Sequence, residues 1–217
     1  MTEPNRQSGE NEERIIEIEI ERLRPFKEHP FQVKDDKEMF LLQESIEKYG
    51  ILNPLIVRPV PDGYYEIISG HRRKHAAEKL GYRKVPVIIR VLSEDDSILS
   101  MVDSNLHRER ISYSEKAFAY KLKNDVLNRK SGRKKSQVDH KTPRKRAIEI
   151  ISEDCGDSPK QVQRYISLTK LIPEMLQKLD DEIISFCPAV EIAALSEKEQ
   201  RELIVAMEYE KAIPSLS

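Results

Sequence analysis

Alternation opens the chain's readable part. Ile16, Ile18 and Ile20 are interleaved with acidic residues, the period-two pattern of a half-buried strand. Met39, Leu42, Ile46 and Tyr49 then recur at helical spacing, and Gly50 supplies the stop. Leu55-Ile56-Val57 reads as a short buried strand, Asp62-Gly63 as a hairpin signal, and Tyr64 to Ser69 as the returning strand. Gly70 opens a helix over His71 to Leu80 that Gly81 closes, Val85 to Val91 is another strand, and Ile98 with Val102 begins a further helical pattern.

From Ser112 onward the pattern turns helical throughout. Ser112 with Glu115, Ser158 with Gln161 and Ser196 with Glu199 have the spacing of capping boxes. Pro159 occupies a favoured first helical position, and Pro173 and Pro188 each fit a helix start. Phe118, Leu122 and Val126 are expected to stack along one helix face, and Asn128 to Thr142 reads as a polar, basic, flexible stretch. The expected fold class is α+β. Residues 1–14 are expected to form a disordered leader, 15–111 a mixed α/β domain, and 112–217 an all-helical domain with a helix-turn-helix at about 144–170.

Composition narrows the classes. The 217 residues carry 37 Lys+Arg against 38 Asp+Glu, 38% hydrophobic and 35% charged residues. The best apolar run, Val85 to Leu92, contains Arg90 and falls well short of the roughly 18 residues of a membrane span. The acidic, polar first residues lack the apolar core of a signal peptide, and Cys155 and Cys187 are too few for a disulfide framework, so a reduced cytoplasmic setting is expected.

The near-neutral total hides a polarised distribution. Between Lys121 and Arg146 there are eleven Lys and Arg residues against Asp125 and Asp139 alone, whereas after Leu171 ten acids face four bases. Phosphate responds to the local field, so net neutrality does not exclude a nucleic-acid partner.

Three segments could carry chemistry. Ser69-Gly70-His71-Arg72-Arg73 lies between a strand and a helix, where glycine permits a sharp turn, first-turn amides point outward and two arginines add charge. That suits a polyphosphate cradle, and equally a strand-to-helix turn with solvated arginines. Asp103-Ser104-Asn105-Leu106-His107-Arg108 offers an amide and a carboxylate for hydrated Mg²⁺ and an arginine for another phosphate, or is simply a polar helix end. The third is a helix pair around Cys155-Gly156-Asp157. Ala147, Ile150 and Ile151 line the first helix, while Val162, Tyr165, Ile166 and Thr169 face inward on the second, Ser158 to Lys170. The outward Ser158, Lys160, Gln161 and Arg164, behind the basic Arg144, Lys145 and Arg146, are side chains that reach bases and phosphates. An ordinary helical hairpin is the alternative. His71 and His75 stand at i, i+4 but lack the glutamate and third ligand of a zinc helix.

The order of segments adds a resemblance. Leu23-Arg24-Pro25, His29-Pro30-Phe31-Gln32, Gly50 to Arg58, the Gly-His-Arg-Arg turn, Val85-Pro86-Val87 and Asp103 to Glu109 precede the Ser112 helix and the helix pair. From about Ile15 to Leu195 this resembles the ParB family of plasmid and chromosome partition proteins. The resemblance implies a ParB/sulfiredoxin-like domain that binds CTP with Mg²⁺, then a helix-turn-helix for a palindromic, centromere-like (parS-type) site on double-stranded DNA. Nucleotide binding would let two copies self-associate into a sliding clamp, a ParA-type ATPase would be the partner, and the protein would sit on the nucleoid or a plasmid.

Carried onto this chain, the resemblance makes Gly70, His71, Arg72 and Arg73 the triphosphate holders, Asn105 the Mg²⁺ ligand and Arg108 a neighbour of the nucleotide. Asn53, Pro54, Leu55 and the segment ending at Gln32 would lie near base and ribose. The chain departs from the family pattern at His71, often glutamate, and at Ser104, usually glutamate, so CTP hydrolysis is expected to be slow or absent. The Ser158-Pro159-Lys160 start lacks the family's frequent arginine, so the DNA site is expected to differ. Family members usually continue into a dimerisation domain, and this sequence stops at Ser217, so the expectation is either a truncated form that pairs only with nucleotide or DNA, or a branch that dimerises another way. Two rivals stay open: a helix-turn-helix transcriptional regulator without nucleotide switching, and a nucleotide-using enzyme on the sulfiredoxin-like fold.

Overall fold

A computed structural model describes residues 14–26, 31, 33, 35–106, 108, 111–133 and 146–214, which fall into two compact units. The first runs to Ser93; the second begins at Glu94 and also takes in Phe31. This division lies ahead of the boundary expected after residue 111, because the helix that starts at Glu94 packs on the long helix that follows it. Of the expected leader, all but Arg14 lies outside the described residues.

The first unit is built on a five-stranded mixed sheet of order β1-β5-β3-β4-β2. The strands are β1 (Ile15–Glu19), β2 (Leu23–Pro25), β3 (Leu55–Pro59), β4 (Tyr65–Ser69) and β5 (Lys84–Ile89). β1 runs antiparallel to β5 and β3 antiparallel to β4, while β5–β3 and β4–β2 are parallel pairs. The β3–β4 hairpin turns at Asp62 and Gly63, both at positive φ (66° and 75°), which the Asp-Gly pair tolerates at low strain. Arg22 donates from Nε to the Gly63 carbonyl at 2.9 Å, and Arg58 pairs with Glu66 across the hairpin at 2.6 Å. Ile18, Leu55, Val57, Ile67, Val85 and Val87 form the core against the sheet. The alternation read at Ile16–Ile20 holds through Ile18. The strand ends at Glu19, Ile20 enters a short 3-10 turn, and Ile16 is partly exposed.

Helices α1 (Lys37–Tyr49) and α2 (His71–Lys79) pack together. Asp36 caps α1 by accepting the Met39 N–H at 2.8 Å, and Gly50 at φ 72° ends it. Met39, Ile46 and Ala76 bury the seam between the two helices.

The second unit contains only helices among the described residues: α3 (Glu94–Leu106), α4 (Tyr113–Arg133), α5 (Ala147–Cys155), α6 (Pro159–Leu168), α7 (Pro173–Asp180), α8 (Phe186–Ile192) and α9 (Glu197–Glu210). The capping pairs expected at Ser112/Glu115 and Ser196/Glu199 are formed, and the Ser158 hydroxyl accepts the Gln161 N–H at 3.2 Å. Three expectations are corrected. Phe118 is exposed, because the packed face of α4 is set by Ala117, Tyr120, Lys123 and Val126. α4 continues to Arg133 through residues read as flexible, since Lys, Arg and Asn there do not break a helix. α8 starts at Phe186, with Pro188 inside its first turn, where its missing N–H removes no intrahelical bond.

Long-range polar contacts tie the helices. Ser114 at the start of α4 donates from its N–H at 2.9 Å, and from its hydroxyl, to the Asp180 carboxylate of α7. Gln200 is fully buried on α9, accepts from Ile172 N–H at 2.9 Å and donates to the carbonyls of Leu195 (3.1 Å) and Lys170 (3.2 Å). Gln200→Leu fills the volume but strips these backbone groups of their partner. It is expected to destabilise the helical unit by about 2–4 kcal/mol, read as a lower guanidinium midpoint at unchanged slope.

Candidate functional site

In the first unit, β4 runs into α2 through Gly70, at φ 107° and ψ 20°. A Cβ there would lie 2.9 Å from Leu55 Cγ and 3.2 Å from Arg73 Nη2, so the backbone comes close to the 53–55 segment because position 70 has no side chain. The first intrahelical bond of α2 runs from Lys74 N–H to Gly70 O at 2.9 Å, and the amides of the first turn lie ahead of it.

The charged residues of this turn act differently from one another. Arg73 donates through Nη1 to the carbonyls of Asn53 and, at 2.8 Å, Pro54. Burial pulls its pKa down, but a guanidinium keeps its charge. Arg73 therefore clasps the 53–54 backbone against α2. Arg72 pairs with Asp36 at 3.0 Å and Glu38 at 3.2 Å, so acids at the start of α1 compensate part of the cationic charge. His71 is buried at the first position of α2. His75 does not join it as a metal pair but meets Asp35 at 3.0 Å, where Lys79 also reaches at 2.6 Å. Among the described residues no group of three His, Cys, Asp or Glu could hold a metal.

Gly70, His71, Arg72, Arg73, Asn53, Pro54 and Leu55 thus share one corner of the first unit. Asn105 and Arg108 belong to the second unit, and Gln32 lies outside the described residues. Asn105 is buried at the end of α3 and donates from Nδ2 to Met101 O at 2.8 Å. Ser104 donates its hydroxyl to the same carbonyl at 2.9 Å. Asp103 is engaged by Lys123 at 2.6 Å.

Still within the second unit, α5 ends at Gly156, whose φ of 74° makes the left-handed cap, and α6 starts three residues later at Pro159 behind the Ser158 cap. Val162, Tyr165 and Leu168 are buried, with Tyr165 between Tyr113, Tyr120 and Phe186 at ring distances of 6.4, 5.6 and 4.8 Å. Ser158 and Lys160 are exposed at the start of α6 and Gln161 is half-buried. Arg164 is drawn onto α8, with Nη2 3.8 Å from Cys187 Sγ and its guanidinium 5.9 Å from the Phe186 ring. Gln163, one turn on from Lys160 and exposed, is the outward side chain that the sequence reading missed; its i, i+3 spacing from Lys160 was the available signal. Arg146 is exposed at the cap of α5, whereas Arg144 and Lys145 lie outside the described residues. Asp157 in the turn meets Lys116 at 2.8 Å and the Tyr120 hydroxyl at 2.6 Å. Burial would raise its pKa, but these two hydrogen bonds hold it below the ordinary 3.8. A depressed carboxylate stabilises the fold above its unfolded pKa, so this tether is lost only as pH falls below that value.

Residues 4–106 match the family described as the ParB N-terminal domain. A nucleoid occlusion protein of Bacillus mycoides is 36% identical over 136 residues, 59% of this chain and 47% of that protein. The chain spans about half the length of the relatives it matches. A C-terminally truncated chromosome-partitioning protein ParB from Caulobacter crescentus, complexed to the centromeric parS site, is 26% identical with a TM-score of 0.53, over 91% of this chain and 93% of that one. A pNOB8-like ParB N-domain gives a TM-score of 0.55 at 17% identity over 91% of this chain and 89% of its own, a likeness of fold alone.

The Gly70 corner makes a direct prediction. Gly70→Ala is expected to cost about 2–3 kcal/mol, because it adds a left-handed φ penalty to a 2.9 Å clash with Leu55. Thermal unfolding of the variant checks this, and an unchanged midpoint would mean that the corner relaxes freely.

Proposed function

From the match of residues 4–106 to the ParB N-terminal domain family we propose that the chain is a nucleotide-responsive DNA-binding protein of the partition type. The observation that carries the nucleotide half is the corner at Gly70, where a helix N-terminus, two arginines and a closely approached backbone meet. A triphosphate would be held by the first-turn amides of α2 and by Arg72, with Arg73 keeping the Asn53–Pro54 wall in place. Arg72 is available at small cost. Its pairs with Asp36 and Glu38 are solvent-exposed, and such pairs contribute about 0–1 kcal/mol. CTP is the nucleotide that the family resemblance implies. Gly70, His71, Arg72, Arg73, Asn53, Pro54 and Leu55 include no carboxylate, so Mg²⁺ would be carried there by phosphate oxygens and water. Bound to the phosphates, the ion would offset their charge.

The DNA half rests on α5, its glycine turn and α6 as a helix-turn-helix, with Ser158, Lys160, Gln161 and Gln163 at the leading end of the reading helix. Arg164 would anchor that helix on α8 as much as contact DNA. The likeness to the parS-bound ParB supports a centromere-like site on double-stranded DNA. On this reading two copies meet on a palindrome, a ParA-type ATPase is the partner, and the protein resides on the nucleoid or a plasmid. No helix among the described residues is long and apolar enough to cross a membrane.

Two outcomes are expected. Isothermal titration in Mg²⁺ buffer gives CTP binding in preference to ATP and GTP, and Arg72→Ala weakens it by about 1.5–3 kcal/mol, the range of a charge-assisted hydrogen bond. Equal binding of all three nucleotides, or an unaffected variant, contradicts the assignment. Lys160→Ala weakens binding to a duplex selected from a random library by about 1–3 kcal/mol in fluorescence anisotropy, and an unchanged affinity removes α6 from the interface.

A further inference from the structure

We propose that α4 positions the DNA-reading helix: Lys116 and Lys123, two turns apart on α4, grip the α5–α6 turn from both sides and fix the pose of α6. The proposal rests on the DNA-binding reading above. The two lysines reach acids on either side of Gly156. Lys123 Nζ lies 2.7 Å from Asp154 at the end of α5, and Lys116 Nζ lies 2.8 Å from Asp157 at the entry to α6. Tyr120, between them on α4, donates its hydroxyl to the same Asp157 oxygen at 2.6 Å. From α5, the Ser152 hydroxyl donates to the Asp157 carbonyl at 2.6 Å, so both the side chain and the backbone of Asp157 are held.

Lys116 also touches the reading helix itself, with Nζ 4.7 Å from the Tyr165 ring centroid on the inner face of α6. Rotating α6 about its axis would separate Tyr165 from Lys116 and from the edge-on Tyr120 ring. Stability alone does not account for the arrangement. The Lys123 side chain is 3% exposed, and a buried ammonium with its partners typically does no better than a well-packed apolar residue of the same volume. An apolar contact tolerates sliding; a hydrogen-bonded charge sets a fixed distance and direction. A helix that must present short side chains to base edges needs the second property.

The test uses the full chain and a duplex selected by the wild type from a random library, beside a scrambled duplex of equal length. Lys116→Met is expected to reduce the preference for the selected duplex about tenfold. Its affinity for the scrambled duplex should stay within about twofold at an unchanged salt slope, because Lys116 meets Asp157 and not phosphate. Asp157→Asn should behave alike, and Lys116→Arg should retain most of the preference. In the free variant, amide exchange should quicken over residues 157–168 and leave α7 and α9 as they were. An unchanged preference, or an equal loss on both duplexes with a shallower salt slope, would overturn the proposal, as would unaltered exchange over 157–168. A wild type indifferent to sequence would sink the DNA-binding reading instead, and the exchange measurement then decides the grip of α4 by itself.

Discussion

The close approach of Gly70 to Leu55 is the constraint on which the first unit's candidate site depends. A Cβ at position 70 would lie 2.9 Å from Leu55 Cγ, so any other residue would force a shift there, and the positive φ turns β4 directly into α2. Arg73 then secures what the glycine allows, donating to the two carbonyls of the opposing turn. A helix N-terminus, a pair of backbone carbonyls and a second arginine end up in one corner without any being supplied by a long loop. That economy suits recognition of a phosphate chain, since amide groups fixed by a helix need no reorganisation when an anion arrives.

Charge organises the second unit in another way. Its apolar core is ordinary, with Ile151, Val162, Leu168, Met175 and Leu179 fully buried, but the helices are also joined by directed polar bonds. Asp180 caps α4, Gln200 serves the α6–α7 connection, and two lysines of α4 hold the turn before α6. Each such group would be costly if left unpaired, so the set tolerates few alternative packings. After Leu171 ten acids face four bases, so the segment that carries α7, α8 and α9 is net negative and unfavourable for phosphate.

Much of this was legible in the sequence because the signals are local. The Asp62-Gly63 hairpin, the caps at Ser112, Ser158 and Ser196, and the glycine stops at Gly50 and Gly156 depend on residues within four positions of each other. What escaped is non-local. The carbonyl partners of Arg73 lie about twenty residues upstream, beyond the reach of any local pattern. Phe118 read as core because hydrophobicity was weighed without knowing that α4 turns Tyr120 and Lys123 toward its neighbours. The neighbours of Arg164 on α8, Phe186 and Cys187, come more than twenty residues later in the chain, so its packing could not be read locally. Pattern gave the elements and the order of segments gave the family resemblance. The division of work among neighbouring arginines required the fold.

Amide hydrogen exchange of the intact chain in Mg²⁺ buffer, with saturating CTP or GTP, tests the central claim most directly. The account predicts that CTP, and not GTP, slows exchange over the first turn of α2 and the Asn53–Val57 backbone. Exchange there that is indifferent to CTP, or protection confined to other parts of the chain, would contradict it.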